Sequence, residues 1–108
     1  MDKQKILITG AHGFLGKAVC SRLEQEENYT LHKLQGKAVC DLKNREQVDE
    51  VLNTFQPTMV IHLAARVGGL GANKENPGLF IYENLAMGMT LIEACREYGD
   101  LNKFIMVG

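Results

Sequence analysis

The 108-residue sequence lacks the features that mark several protein classes. It carries almost no net charge: 12 basic residues stand against 13 acidic ones, for a formal charge of −1. That balance excludes a phosphate-tracking surface and an acidic tail, so no nucleic-acid partner is expected. No apolar run approaches the length needed to cross a bilayer, and no membrane partner is expected either. A secretory leader is not evident, because Met1-Asp2-Lys3-Gln4-Lys5 is soon followed by Gly10. Cys20, Cys40 and Cys95 are odd in number and far apart. This argues for reduced thiols in the cytoplasm and against a disulfide framework or a Cys-x-x-Cys metal site. Tryptophan is absent, yet at 45% hydrophobic and 23% charged residues the composition is that of a soluble globular chain. The length points to one domain.

What is present is an alternation of strand and helix patterns. Lys5 to Thr9 is a short apolar run bounded by charge and glycine, the pattern of a buried parallel strand. Residues 14–27 switch to helical spacing, with Leu15, Ala18, Val19 and Leu23 on one face. Thr30 to Leu34 reads as a second strand, and Ala38-Val39-Cys40 as either a small edge strand or loop. Asn44 to Phe55 reads as a helix with Asn44 as N-cap and Gln47 completing a capping box, ended by Gln56-Pro57. Met59 to Leu63 is another buried strand, followed by the glycine-rich loop Val67 to Gly71. Asn76-Pro77 opens a long third helix that Gly99 closes. Ile81, Leu85 and Ile92 mark one of its faces; Phe80, Met87, Leu91 and Cys95 mark a neighbouring one. Such a helix is expected to pack against more than its own sheet. Lys103 to Gly108 reads as a further buried strand. The order is that of an α/β, Rossmann-type doubly wound parallel sheet, here an N-terminal portion with about four main strands and three helices. The pentapeptide Gly-Lys-Ala-Val-Cys occurs at 16–20 and 36–40, but its flanks do not match and no solenoid repeat follows.

The strongest chemical signal is Gly10-Ala11-His12-Gly13-Phe14-Leu15-Gly16, between a buried strand and an amphipathic helix. There Gly10 permits a sharp turn, Gly13 a close approach of pyrophosphate, and Gly16 tight packing of helix on sheet. The helix N-terminus adds free N–H groups and partial positive charge. The loop is not of the NTPase kind, because five residues separate Gly10 from Gly16 and Lys17 precedes Ala18. Leu34-Gln35-Gly36-Lys37 holds no acid for an NAD ribose; Lys33 and Lys37 are placed to meet a 2′-phosphate, which favours NADP over NAD. Asp41, followed by Leu42, either accepts from an adenine amino group or helps cap the next helix. His62 reads as a core histidine, His32 as surface, and His12 as a loop residue whose backbone matters more than its ring. No histidine pair has metal-ligand spacing, so no metal is expected. Tyr82 is followed four residues on by Ala86 rather than lysine, and no catalytic residue is assigned.

Gly-x-x-Gly-x-x-Gly at 10–16, Asp41-Leu42, His62-Leu63-Ala64-Ala65 and Asn84 together resemble the extended short-chain dehydrogenase/reductases. These include the NAD(P)-dependent sugar-nucleotide epimerases and dehydratases. The stretch Gln56 to Leu70, with Ala72-Asn73, Pro77 and Phe80 to Asn84, is similar to the GDP-L-fucose synthase group, NADPH-dependent GDP-4-keto-6-deoxymannose epimerase-reductases. The resemblance implies that loop 10–16 cradles the pyrophosphate and that Asp41 and Leu42 flank the adenine. It implies that Leu63, Ala64, Ala65 and Val67 line the nicotinamide-side ribose, and that Val107 and Gly108 lie under the nicotinamide. Asn84 would bond the neighbouring strand, and the helix near 77–98 would form a homodimer interface. The family's catalytic serine, tyrosine and lysine and its nucleotide-sugar domain have no counterpart within 1–108, an NAD(P)-binding portion expected to be inactive alone. Apolar surface is then expected on the edge near Val107 and on the third helix.

Overall fold

A computed structural model of the chain describes residues 3–34, 41–63 and 77–106. Their element order is β1 (Gln4–Thr9), α1 (Phe14–Glu24), β2 (Tyr29–Leu34), α2 (Arg45–Phe55), β3 (Met59–His62), α3 (Pro77–Tyr98) and β4 (Lys103–Met106). The strands form one parallel sheet in the order β2-β1-β3-β4. β1 is paired on both sides, and its Ile6, Leu7 and Ile8 are fully buried, as an unbroken apolar run requires. The chain steps from β1 out to β2, then returns past β1 to β3 and β4. Right-handed crossovers therefore place α1 on one face of the sheet and α2 and α3 on the other.

The core divides the same way. Ile6, Ile8 and Ile61 pack with Cys20, Val19 and Leu23 of α1. Leu7, Leu34 and Val60 pack with Val48 and Leu52 of α2 and with Leu91, Ala94 and Cys95 of α3. Each large apolar side chain so buried contributes about 1.5–3 kcal/mol relative to exposure. This is the doubly wound α/β arrangement that the sequence pattern predicts.

Four local expectations change. α1 stops at Glu24 rather than running to residue 27, because the Asn28 carbonyl is needed to accept the Gln4 N–H (2.8 Å) at the start of the β1–β2 ladder. Its inward face runs through Gly16 and Cys20, while Leu15 and Ala18 are exposed. The contact of Gly16 with the loop, described below, rotates the helix that way. At α2, Asn44 Oδ1 accepts from the N–H groups of Glu46 and Gln47 at 3.0 and 3.2 Å, as a cap should. Gln47, however, accepts from the Asp41 N–H (2.7 Å) and not from Asn44, so the box closes one turn further back. Finally, β4 is an edge strand among the described residues: Phe104 is half-buried, and Ile105 and Met106 are exposed. The helix ends otherwise follow the sequence. Gln56 takes a left-handed φ of 55° after α2, and Gly99 a φ of 81° after α3, where its N–H donates to Cys95 O at 3.1 Å.

Candidate functional site

Thr9 is in register with Leu34 and with His62, and His62 with Met106. All four strands therefore end at one level, and the loop after β1 leaves from that edge. Because the chain leaves β1 in one direction and returns in the other, the crevice between β1 and β3 is the topological switch point, the usual ligand position in such sheets.

The loop after β1 is held by backbone contacts. Gly10 has a φ of 70°, a left-handed conformation that glycine takes without strain, and its carbonyl accepts the Gly13 N–H at 3.2 Å. A Cβ on Gly16 would stand 1.9 Å from Gly10 O and 2.8 Å from Ala11 Cα, an impossible approach. Gly13, by contrast, would place a Cβ at an ordinary 3.6 Å, so packing does not demand glycine there. Gly13 is the N-cap of α1 and offers no side-chain bond, and the first turn holds no acid. The N-terminal N–H groups of α1 thus face the crevice without a capping side chain, beside a half-charge of helix dipole. His12 and Leu15 are exposed and Phe14 is 96% exposed, so the loop presents its side chains outward.

Asp41 is bound into the turn before α2. Its Oδ1 accepts from the Lys43 N–H (3.0 Å) and its carbonyl from the Asn44 N–H (2.8 Å), which fixes the turn that leads into α2, while the helix itself is capped by Asn44. Leu42 is 6% exposed and anchors the turn in the core with Val48 and Leu52. Lys43 bridges to Glu83 of α3 at 2.6 Å, and that bond raises its pKa. Lys33 does not stand ready for a phosphate: its ammonium pairs with Glu24 of α1. Lys37, Ala64, Ala65, Val67, Val107 and Gly108 lie outside the described residues, as do the stretch Ala38 to Cys40 and the loop Val67 to Gly71.

His62 is a buried core histidine, as its apolar strand suggests, and burial holds its pKa below the ordinary value. Its Nδ1 stands 2.7 Å from Thr9 Oγ1, a partner that strand spacing alone does not reveal. His32 is exposed at the sheet edge, its ring 5.1 Å from that of Phe55. Burial raises the pKa of Cys20, and that of Cys95 to about 11, so neither is a ready nucleophile. Tyr29 and Lys33 do show Tyr-x-x-x-Lys spacing, but on β2, where residues four apart stand about 13 Å apart. They form no catalytic pair. The described residues hold no metal-ligating cluster and no helix long and apolar enough to cross a membrane. On α3, Ile81, Tyr82, Leu85, Met89 and Ile92 are exposed, opposite the face that buries Leu91, Ala94 and Cys95.

The sequence matches the NAD dependent epimerase/dehydratase family over residues 6–108. It is 34% identical over 98 residues to the GDP-L-fucose synthase of Dictyostelium discoideum, covering 90% of this chain and 31% of that protein. A GDP-L-fucose synthetase from Naegleria fowleri bound to NADP superposes with a TM-score of 0.78 at 29% identity, covering 98% of this chain and 31% of that one. MlghC, a GDP-mannoheptose C4 reductase from Campylobacter jejuni with NADP bound, gives 0.83 at 27% identity, over 98% and 33%. The chain spans about a third of the length of the curated relatives it matches.

Proposed function

The chain belongs to the NAD dependent epimerase/dehydratase family, and from that premise we propose that it supplies the cofactor-binding part of an NADP-dependent nucleotide-sugar epimerase/reductase of the GDP-L-fucose synthase type. One observation carries the reading: Gly16 lies against Gly10 O where no Cβ could fit, at the start of a helix with no capping side chain and no acid in its first turn. A side chain at Gly16 would push the helix from the loop. An acid at Gly13 or in the first turn would repel a pyrophosphate. The residues present fit that group.

When bound, NADPH would supply the hydride that reduces a 4-keto nucleotide sugar, GDP-4-keto-6-deoxymannose in this reading. The chain's own residues bind and orient. The N–H groups of 14–16 would hold the pyrophosphate, with Gly10 and Gly13 shaping the turn and His12, Phe14 and Leu15 bordering it. Lys37 would meet the 2′-phosphate, and Asp41 and Leu42 would border the adenine. Leu63, Ala64, Ala65 and Val67 would line the nicotinamide-side ribose, and Val107 and Gly108 would border the nicotinamide. No residue of 1–108 is assigned to the proton transfers. A second reading, reduction of a different nucleotide sugar, draws on the likeness to a C4 reductase.

NADPH and NADH titrated side by side, with cofactor fluorescence as readout, test the assignment. Tighter binding of NADPH is expected; tighter NADH overturns the NADP assignment, and no binding of either overturns the reading. The exposed row Ile81, Leu85, Met89 and Ile92 along α3 supports a dimer with a second copy. Leu85→Glu is expected to shift sedimentation from dimer to monomer.

A further inference from the structure

An ion pair joins α2 and α3 on the side of the molecule where the crevice opens. α2 ends at the opposite edge of the sheet, where its Phe55 carbonyl accepts from Lys5 Nζ at the start of β1 (3.3 Å). α3 ends there too: the Tyr98 hydroxyl donates to the Pro57 carbonyl, just before β3, at 2.8 Å. Each helix runs back between parallel strands, so each begins at the crevice edge. Turn 41–44, which leads into α2, and the first turns of α3 therefore lie on that side. Lys43 Nζ spans them, 2.6 Å from Glu83 Oε2 in the second turn of α3.

The turn is built around Lys43. Its N–H donates to Asp41 Oδ1 (3.0 Å), and the Asp41 N–H donates to Gln47 Oε1 (2.7 Å). Leu42 is buried with Val48 and Leu52. α2 and the core thus hold the turn from one side, and the Lys43 side chain ties it to α3 on the other. Lys43 and Glu83 are 28% and 16% exposed, against 68% and 47% for the pair Arg96–Glu93 further along α3. Water and salt screen the first pair less than the second, so more of its attraction is felt. Arg45, two residues on, is engaged with Asp49 and Glu97.

We propose that Lys43 and Glu83 are a positioning pair for the adenine end of the dinucleotide. The pair holds turn 41–44 against α3, and with it Asp41 and Leu42 at the spacing the adenine requires. The proposal rests on the cofactor reading above, and in it neither partner touches the cofactor: the Lys43 ammonium is engaged by Glu83 rather than offered to a phosphate. This gives the pair a signature of sign. The dinucleotide is an anion, so charge alone would make loss of Lys43 weaken binding and loss of Glu83 tighten it. A positioning pair weakens binding whichever partner is lost.

The test measures Kd for NADPH and for 2′,5′-ADP, which keeps the adenine half of the cofactor. Lys43→Met and Glu83→Met, which keep apolar stems of similar length, are each expected to raise both Kd values about threefold or more. Lys43→Arg, which keeps the pair, is expected to stay within about twofold of the wild type. The double variant closes a cycle in which a coupling of about threefold should remain. Other contacts that Glu83 makes appear on both legs of that cycle and cancel. Arg96→Met, which breaks the exposed pair, should leave Kd unchanged. Unchanged or tighter NADPH binding in Glu83→Met overturns the proposal, as do additive effects in the cycle or a loss for NADPH that 2′,5′-ADP does not share. If Lys43→Met does not fold, Glu83→Met against Lys43→Arg gives the same contrast, pair lost against pair kept. A wild type that binds neither nicotinamide dinucleotide overturns the cofactor reading itself. That outcome is distinct from one in which the wild type binds and the variants match it.

Discussion

α1 and α2 are both 11 residues long and both follow a strand of the same sheet, yet they begin in opposite ways. α2 is finished by its own sequence. Asn44 takes two of its free N–H groups, Glu46 sits in the first turn, and Gln47 reaches back to Asp41. α1 begins at a glycine that caps nothing, with no acid in its first turn and an exposed phenylalanine at its first position. A glycine start costs only a few tenths of a kcal/mol against a well-capped one, but it leaves the first N–H groups without an acceptor. In the proposed function those donors are kept for the pyrophosphate. On that reading the two starts separate a structural helix end from one reserved for an anion, and the contrast can be attacked directly.

The largest effect is expected at Gly16. On propensity alone, Gly16→Ala within a helix should stabilise by about 1 kcal/mol. The Cβ, however, would lie 1.9 Å from Gly10 O and 2.8 Å from Ala11 atoms, all of them backbone that cannot swing aside. Overpacking against backbone costs about 3 kcal/mol or more, so sterics win. Thermal unfolding should show a clear fall in Tm, and NADPH binding should be lost. A Gly16→Ala protein as stable as the wild type would mean that α1 is not pinned to the loop.

Much of this was legible before any coordinates. The glycine spacing, the Asn44 cap and the stop at Gln56-Pro57 depend on a residue and its near neighbours, so their signals are local. What was not legible depends on partners brought in from other elements. The inward face of α1 passes through Gly16 and Cys20 because a backbone contact turns the helix, which apolar spacing cannot reveal. Lys33 looks available until α1 brings Glu24 against it. Gln47 fits a capping box by spacing, yet Asp41 lies within its reach and takes the bond. Nothing in the sequence marks Thr9; its contact with His62 depends on the β1–β3 register that sets the two opposite each other. β4 has the composition of a buried strand, but burial depends on what lies beside it, and among the described residues only β3 does.

The sharpest version of the comparison exchanges the two helix starts. Gly13→Asp would give α1 the kind of cap that α2 has. Packing permits it, since the Cβ would meet Gly10 O at 3.6 Å. Replacing glycine by aspartate at an N-cap gains only a few tenths of a kcal/mol, so stability should rise slightly or stay level. The carboxylate would take N–H groups meant for the pyrophosphate and add a like charge beside it. NADPH Kd should rise about tenfold or more, an effect of roughly 1.4 kcal/mol. Asn44→Ala should behave in reverse, losing about 1 kcal/mol of stability as Glu46 and Gln47 lose their acceptor, with Kd unchanged. Chemical denaturation and cofactor titration on the same two proteins read both axes. If the effects cross over, the open end of α1 serves a ligand. If Gly13→Asp leaves NADPH binding intact, the missing cap is a structural accident, and the glycine loop is only a tight turn.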